Sequence, residues 1–133
     1  MYVLVYVQEK IEMIYGIGID SVDLARFERT LKKWGQKFSN RILTAKEIEY
    51  CYSQGERTAS IAVRFAAKEA FYKCLPPDLQ KGIGWQNAEI INDPEGRPEL
   101  FAKGVLAALL KDRIIHVSLS HSHSNAVAIV IIE

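Results

Sequence analysis

At 133 residues the chain has room for one domain with one core. Apolar residues at 49% and charged residues at 25% exclude a disordered chain, and a net charge of +1 excludes a polyanion partner recognised by bulk charge. Two cysteines, Cys51 and Cys74, are too few for a disulfide framework or a zinc knuckle, so a reduced, cytoplasmic protein is expected.

The opening run Met1-Tyr-Val-Leu-Val-Tyr-Val7 is far too short to span a bilayer, and neither a basic start nor a small-residue cleavage site marks a signal peptide. It reads either as an added β-strand or as the product of a start codon upstream of Met13. Residues 1–12 are therefore an N-terminal extension whose role the sequence leaves open, ahead of a domain at 13–133.

From Ile14 to Ile19 the residues alternate as a strand. Its even face carries Gly16, Gly18 and then Asp20, a bare track along which another backbone or a ligand can approach. Asp20 reads either as the N-cap of the next helix or as a ligand at the end of that track. From Val22 to Trp34 the period is helical, with Leu24, Phe27, Leu31 and Trp34 on one apolar stripe. Six cations, Arg26, Arg29, Lys32, Lys33, Lys37 and Arg41, fall within sixteen residues against the single acid Glu28. They form either a solvated helix face or a docking surface for an acidic partner. The aromatics lie on the apolar stripe rather than among the cations, which disfavours single-stranded nucleic acid.

Thr44-Ala45-Lys46-Glu47 is a capping box that opens a short helix through Cys51. A longer helix runs from about Thr58 to the block at Pro76-Pro77. Its Ile61, Ala62, Phe65 and Ala66 spread over an arc of about 140°, with Glu69 projecting into the middle and Lys73 one turn beyond. Ala67, Ala70, Phe71 and Cys74 fill most of the other side and leave Arg64, Lys68 and Tyr72 a narrow polar sector. A helix so apolar belongs in a core, and a carboxylate there must be paired, metal-bound or facing a cleft.

Strands follow around Ala88–Ile91 and Arg97–Phe101, joined by the turn Asn92-Asp93-Pro94-Glu95-Gly96, then a short helix over Gly104–Lys111. The tail, Ile114 to Asn125 and then Ala126 to Ile132, reads as two strands joined by a polar turn, a terminal hairpin. With βα-rich halves at 13–75 and 84–133 and no repeats, the fold class is α+β.

Asp20 and Glu69, from separate elements, suit a shared hard cation such as Mg²⁺, which takes one or two carboxylates and completes its shell with water and phosphate oxygens. That arrangement suits a pyrophosphate substrate, with Lys73 as counter-charge. The plainer reading is a helix cap and an i,i+4 Glu69–Lys73 pair worth about 0.2–0.5 kcal/mol. His121 and His123 are too few for a zinc site, but His121, at a strand end, is placed to meet a ligand. No nucleophile elbow or Walker-type loop is present.

Four stretches, in order, carry a resemblance: Met13-Ile-Tyr-Gly-Ile-Gly-Ile-Asp20, Arg41-Ile-Leu-Thr44, Arg64-Phe-Ala-Ala-Lys-Glu-Ala-Phe71 with Lys73, and His116-Val-Ser-Leu-Ser-His121. From Met13 onward the chain resembles the holo-[acyl-carrier-protein] synthases, the small bacterial class of 4′-phosphopantetheinyl transferases. Residues 1–12 precede the usual start of that family. The resemblance implies one transferase domain with a mostly antiparallel sheet packed on a long central helix. It implies transfer of 4′-phosphopantetheine from coenzyme A to a serine of apo acyl carrier protein, for fatty acid biosynthesis, with release of adenosine 3′,5′-bisphosphate. By the same analogy Asp20 and Glu69 hold Mg²⁺, Lys73 and His121 contact coenzyme A, and Lys73 shares in catalysis. Arg26, Lys33, Lys37 and Arg41 receive the carrier protein, and the active sites lie between the subunits of a homotrimer.

Two rivals use the same residues differently. A Mg²⁺-dependent phosphodiesterase or nuclease would need no protein acceptor, and a binding module would leave Asp20 and Glu69 structural.

Overall fold

The computed structural model describes residues 13–133; the extension at 1–12, read as either an added strand or the product of an upstream start codon, lies outside the described residues. Strand β1 (Gly16–Asp23) leads through helices α1 (Leu24–Trp34), α2 (Gln36–Ile42) and α3 (Ala45–Ser53) into the long helix α4 (Arg57–Lys73). A short helix α5 (Pro77–Gln80) and a 3-10 turn (Trp85–Asn87) precede the hairpin β2 (Ala88–Asn92) and β3 (Pro98–Ala102). Helix α6 (Val105–Leu109) and the hairpin β4 (Ile115–His121) and β5 (Asn125–Ile132) complete the chain. Within residues 13–133 the expected elements are present, and among the described residues every strand pairing is antiparallel.

The main sheet has the order β1-β5-β4, so among the described strands the last lies between the first and the fourth. Gly16 pairs with Ile132 and Asp23 with Asn125, which holds β1 extended through Asp23. This is four residues beyond the alternation at Ile14–Ile19, because the partner strand continues the ladder after the local pattern fades. It moves the cap. Asp23, not Asp20, accepts the Arg26 N–H at 2.9 Å and starts α1.

Helix α4 crosses the inner face of this sheet and separates two apolar clusters. One joins Ala66, Ala70 and Phe71 to Val130 and Ile132, and the other joins Ile61 and Ala62 to Phe27 and Ile42. Trp34 is not part of the second cluster and is 58% exposed, contrary to its place on the α1 stripe. The chain turns at Gly35, with φ of 61°, so that Phe38 of α2 covers Phe27 and Leu31 and leaves the indole outside.

The bare track on β1 is filled by backbone. A Cβ at Gly16 would collide with the Cys74 carbonyl, and one at Gly18 with the Ala70 carbonyl, so β1 lies directly against α4. Backbone on both sides cannot yield as a side chain can. Gly18→Ala is expected to lower stability by about 1–3 kcal/mol, read as a shifted urea midpoint. Gly55→Ala is the control, because nothing lies within 4 Å of its added methyl. Equal midpoints for the two variants would disprove the close approach.

Candidate active site

The even residues of β1 face the helix, and the close β1–α4 approach brings Asp20 level with its last turns. Glu69 and Lys73, four apart, share one face there. Asp20, Glu69, Lys73 and Arg26 line one cleft of about 670 Å³, floored by Phe27, Phe38 and Phe65. Those three rings pack with centroids 5.4–6.4 Å apart.

Lys73 Nζ donates to Ile19 O at 3.0 Å and to Asp20 Oδ1 at 3.2 Å. The i,i+4 Glu69–Lys73 pair is therefore not what forms; among the described residues the ammonium bridges helix to strand instead. Glu69 is left beside a second carboxylate. Its burial, and then the Asp20 charge, hold its pKa above the usual carboxylate range, with Lys73 opposing. Two hard oxygen donors that repel each other across a cleft open to water are a donor set that suits Mg²⁺.

His121 lies elsewhere. It lines a second cleft, of about 420 Å³, with Tyr50, Ser60, Arg64 and Asn92. The two clefts share no lining residue, and α4 runs between them. The His121 ring is 3.8 Å from Glu56. Arg64, five residues before Glu69 and so about 140° round the helix, was expected on a polar sector but is 3% exposed. It donates to Ser60 O at 3.1 Å, Ser60 Oγ at 3.2 Å and Asn92 Oδ1 at 2.6 Å, under the Tyr50 ring. No carboxylate pairs with it among the described residues, and its Nε has no partner. Sequence reasoning missed Arg64 as a functional candidate, since only packing shows that the cation is buried.

Lys68, expected on the same polar sector, is fully buried. Its ammonium donates to Glu47 Oε1 at 2.6 Å, Ile42 O at 2.7 Å and Trp85 O at 3.0 Å. Glu47, the N3 residue of the expected capping box, also accepts from Thr44 N and Ile90 N, each at 2.8 Å. This one ion pair ties α4 to α2, α3 and β2.

Arg26, Lys33, Lys37 and Arg41 are all exposed, but only Arg26 reaches the first cleft. Lys33 is on α1, beyond the cleft, and Lys37 and Arg41 are on α2.

Residues 16–131 match the model of the 4′-phosphopantetheinyl transferase superfamily. The chain belongs to that family. It is 44% identical over 117 residues to the holo-[acyl-carrier-protein] synthase of Chloroherpeton thalassium, covering 88% of this chain and 96% of the relative. The synthase of Syntrophus aciditrophicus is 44% identical over 124 residues, 91% of this chain and 97% of its own. Among solved structures, the Neisseria meningitidis synthase superposes with a TM-score of 0.79 at 36% identity, over 91% of this chain and 99% of that one. The Bacillus anthracis synthase, in complex with coenzyme A (3′,5′-ADP), gives 0.75 at 37%, over 90% and 96%. As a member of this transferase family the chain has the α+β fold expected of it, and no described helix is long and apolar enough to cross a membrane.

Proposed function

We propose that this protein moves 4′-phosphopantetheine from coenzyme A to a serine hydroxyl of an apo acyl carrier protein, in the service of fatty acid biosynthesis, within a transferase domain at 13–133. The observation that carries this reading is the convergence of Asp20, Glu69, Lys73 and Arg26 on one cleft, in a chain 44% identical to named synthases. Asp20 and Glu69 hold the Mg²⁺. When bound, this ion spreads the negative charge on the pyrophosphate oxygens. Lys73, already at the cleft wall, supplies a second positive charge to those oxygens. The serine oxygen forms its bond to the β-phosphorus as the bond from that phosphorus to the bridging oxygen breaks, and adenosine 3′,5′-bisphosphate leaves. Of the three acids that line the cleft, Asp23 caps α1, which leaves Asp20 and Glu69 to receive the serine proton.

The Arg64–His121 cleft supports a donor-binding role, since a buried guanidinium without a carboxylate suits a phosphate. Its separation from the carboxylates within one protomer supports the homotrimer that the family resemblance implies, with each active site between subunits. The sheet's outer face supports assembly: Ile17 and Ile19 are 61% and 60% exposed, beside Ile129 and Ile131 in the ladder. The buried free thiols of Cys51 and Cys74 support a reducing, cytoplasmic setting.

The test is direct. Protein, coenzyme A, Mg²⁺ and an apo carrier protein are mixed, and mass spectrometry looks for the added phosphopantetheine; an unmodified carrier would refute the reading. Arg26→Glu, a reversed charge at the cleft lip, is expected to raise the KM for carrier protein about tenfold and leave that for coenzyme A unchanged. Wild-type values for both would move the docking surface away from α1.

A further inference from the structure

Trp34 is the one large aromatic of α1 and α2 that the core does not use. It ends α1, is 58% exposed, and has the Lys33 ammonium 5.2 Å from its ring centroid. A lone exposed apolar side chain is ordinary, but this indole stands among six exposed cations, at the end of the helix whose Arg26 and Thr30 line the cleft. Its position on the helix is specific. At about 100° per residue, Thr30 sits about 40° from Arg26 and Trp34 about 80°, with Lys33 about 20° to the other side. Arg26 and Thr30 line the Asp20–Glu69 cleft. The same strip of α1 therefore runs from the cleft lip to the indole, which is about 12 Å further along at 1.5 Å per residue.

We propose that Trp34 is the apolar anchor that holds the acidic protein acceptor, seating one of its apolar side chains while the surrounding cations steer it. The proposal rests on the transfer reading above and adds the residue that sets affinity for the acceptor. Charge complementarity selects the occupant: Arg26, Arg29, Lys32, Lys33, Lys37 and Arg41 are all exposed, and the lone acid among them, Glu28, is engaged with Lys32 at 4.0 Å. An acceptor whose serine enters the cleft over the Arg26–Thr30 lip lies along this strip. Tryptophan supplies large contact area at low entropic cost, and interface hot spots are enriched in Trp and Arg.

The experiment measures binding and transfer separately, with an apo acyl carrier protein as the probe. Calorimetric titration of carrier into wild type, Trp34→Ala and Trp34→Phe is paired with steady-state transfer and light scattering of each. Trp34→Ala is expected to weaken carrier binding and raise its KM tenfold or more. The kcat, the KM for coenzyme A and the salt dependence of binding should hold, since no charge is lost. Trp34→Phe is expected to stay within threefold of wild type. Because the indole is outside the core, the alanine variant keeps its fold. Equal carrier affinity in Trp34→Ala and wild type would overturn the anchor while leaving the transfer reading intact. A changed oligomeric mass for Trp34→Ala would also overturn it, and assign the indole to a contact between copies. Wild type that binds carrier without transferring would refute only the transfer reading, and wild type that does not bind would refute both.

Discussion

Glu69→Gln is expected to abolish transfer while leaving the protein as stable as wild type or more so. Glu69 stands at the cleft wall, where burial and the neighbouring Asp20 charge already disfavour its ionised form. Gln keeps the shape and removes both the charge and the hard donor. If the bound ion contributes several kcal/mol to the transition state, the loss in kcat/KM is about 10³-fold at 1.36 kcal/mol per tenfold. Stability responds in the opposite sense. A carboxyl whose folded pKa is raised binds more protons folded than unfolded, so the metal-free protein loses stability as pH rises from the usual carboxylate range through that raised pKa. The glutamine variant lacks this dependence, and its unfolding midpoint should change less over the same window. Added Mg²⁺ gives a third reading: binding at 100 times Kd stabilises wild type by about 2.7 kcal/mol and should leave Glu69→Gln unmoved. A variant that retains transfer, or one that unfolds, would count against the catalytic assignment.

Lys68→Met carries the largest expected cost to stability. Lys68 and Glu47 are both fully buried and make their ion pair at 2.6 Å. Burial pulls the Lys68 pKa down, and the Glu47 carboxylate opposes that pull. Removing the ammonium leaves Glu47 charged in the core with only backbone donors, a loss of about 3–5 kcal/mol. The double variant Lys68→Met/Glu47→Gln should recover most of it, because the amide oxygen can still accept from Ile90 N and no charge remains. Urea midpoints of the two single variants and the double give the coupling, which should be at least about 2 kcal/mol. A loss below about 1 kcal/mol for Lys68→Met would show that the pair is not what ties α4 to α2 and α3.

Much of this protein was legible along the chain because its signals are local. The capping box at Thr44–Glu47, the block at Pro76-Pro77, the turn at Asn92–Gly96 and the β alternation of the terminal hairpin each depend on neighbours a few residues away, and each element formed where it was expected. The glycine track before Asp20 also announced a close approach, although not that the approaching group would be the backbone of α4. Helical periodicity sorted α4 correctly as buried but ranked its polar residues wrongly. Lys68 and Arg64 look like a solvated sector, and only contacts 21 and 28 residues away in sequence, with Glu47 and Asn92, let those cations lie in the core.

What the residues by themselves determined is which elements form and which side chains are chemically able to act: two acids, a lysine one turn on, and a basic helix. What only tertiary structure decided is who meets whom. Asp20 capped no helix because β5 extended β1 past it, Lys73 turned to Asp20 rather than to Glu69, His121 fell on the far side of α4, and Trp34 was left in water. Cap and i,i+4 preferences are worth about a kilocalorie or less. A paired strand ladder and a packed core outweigh them, so the long-range partners prevail wherever the two disagree.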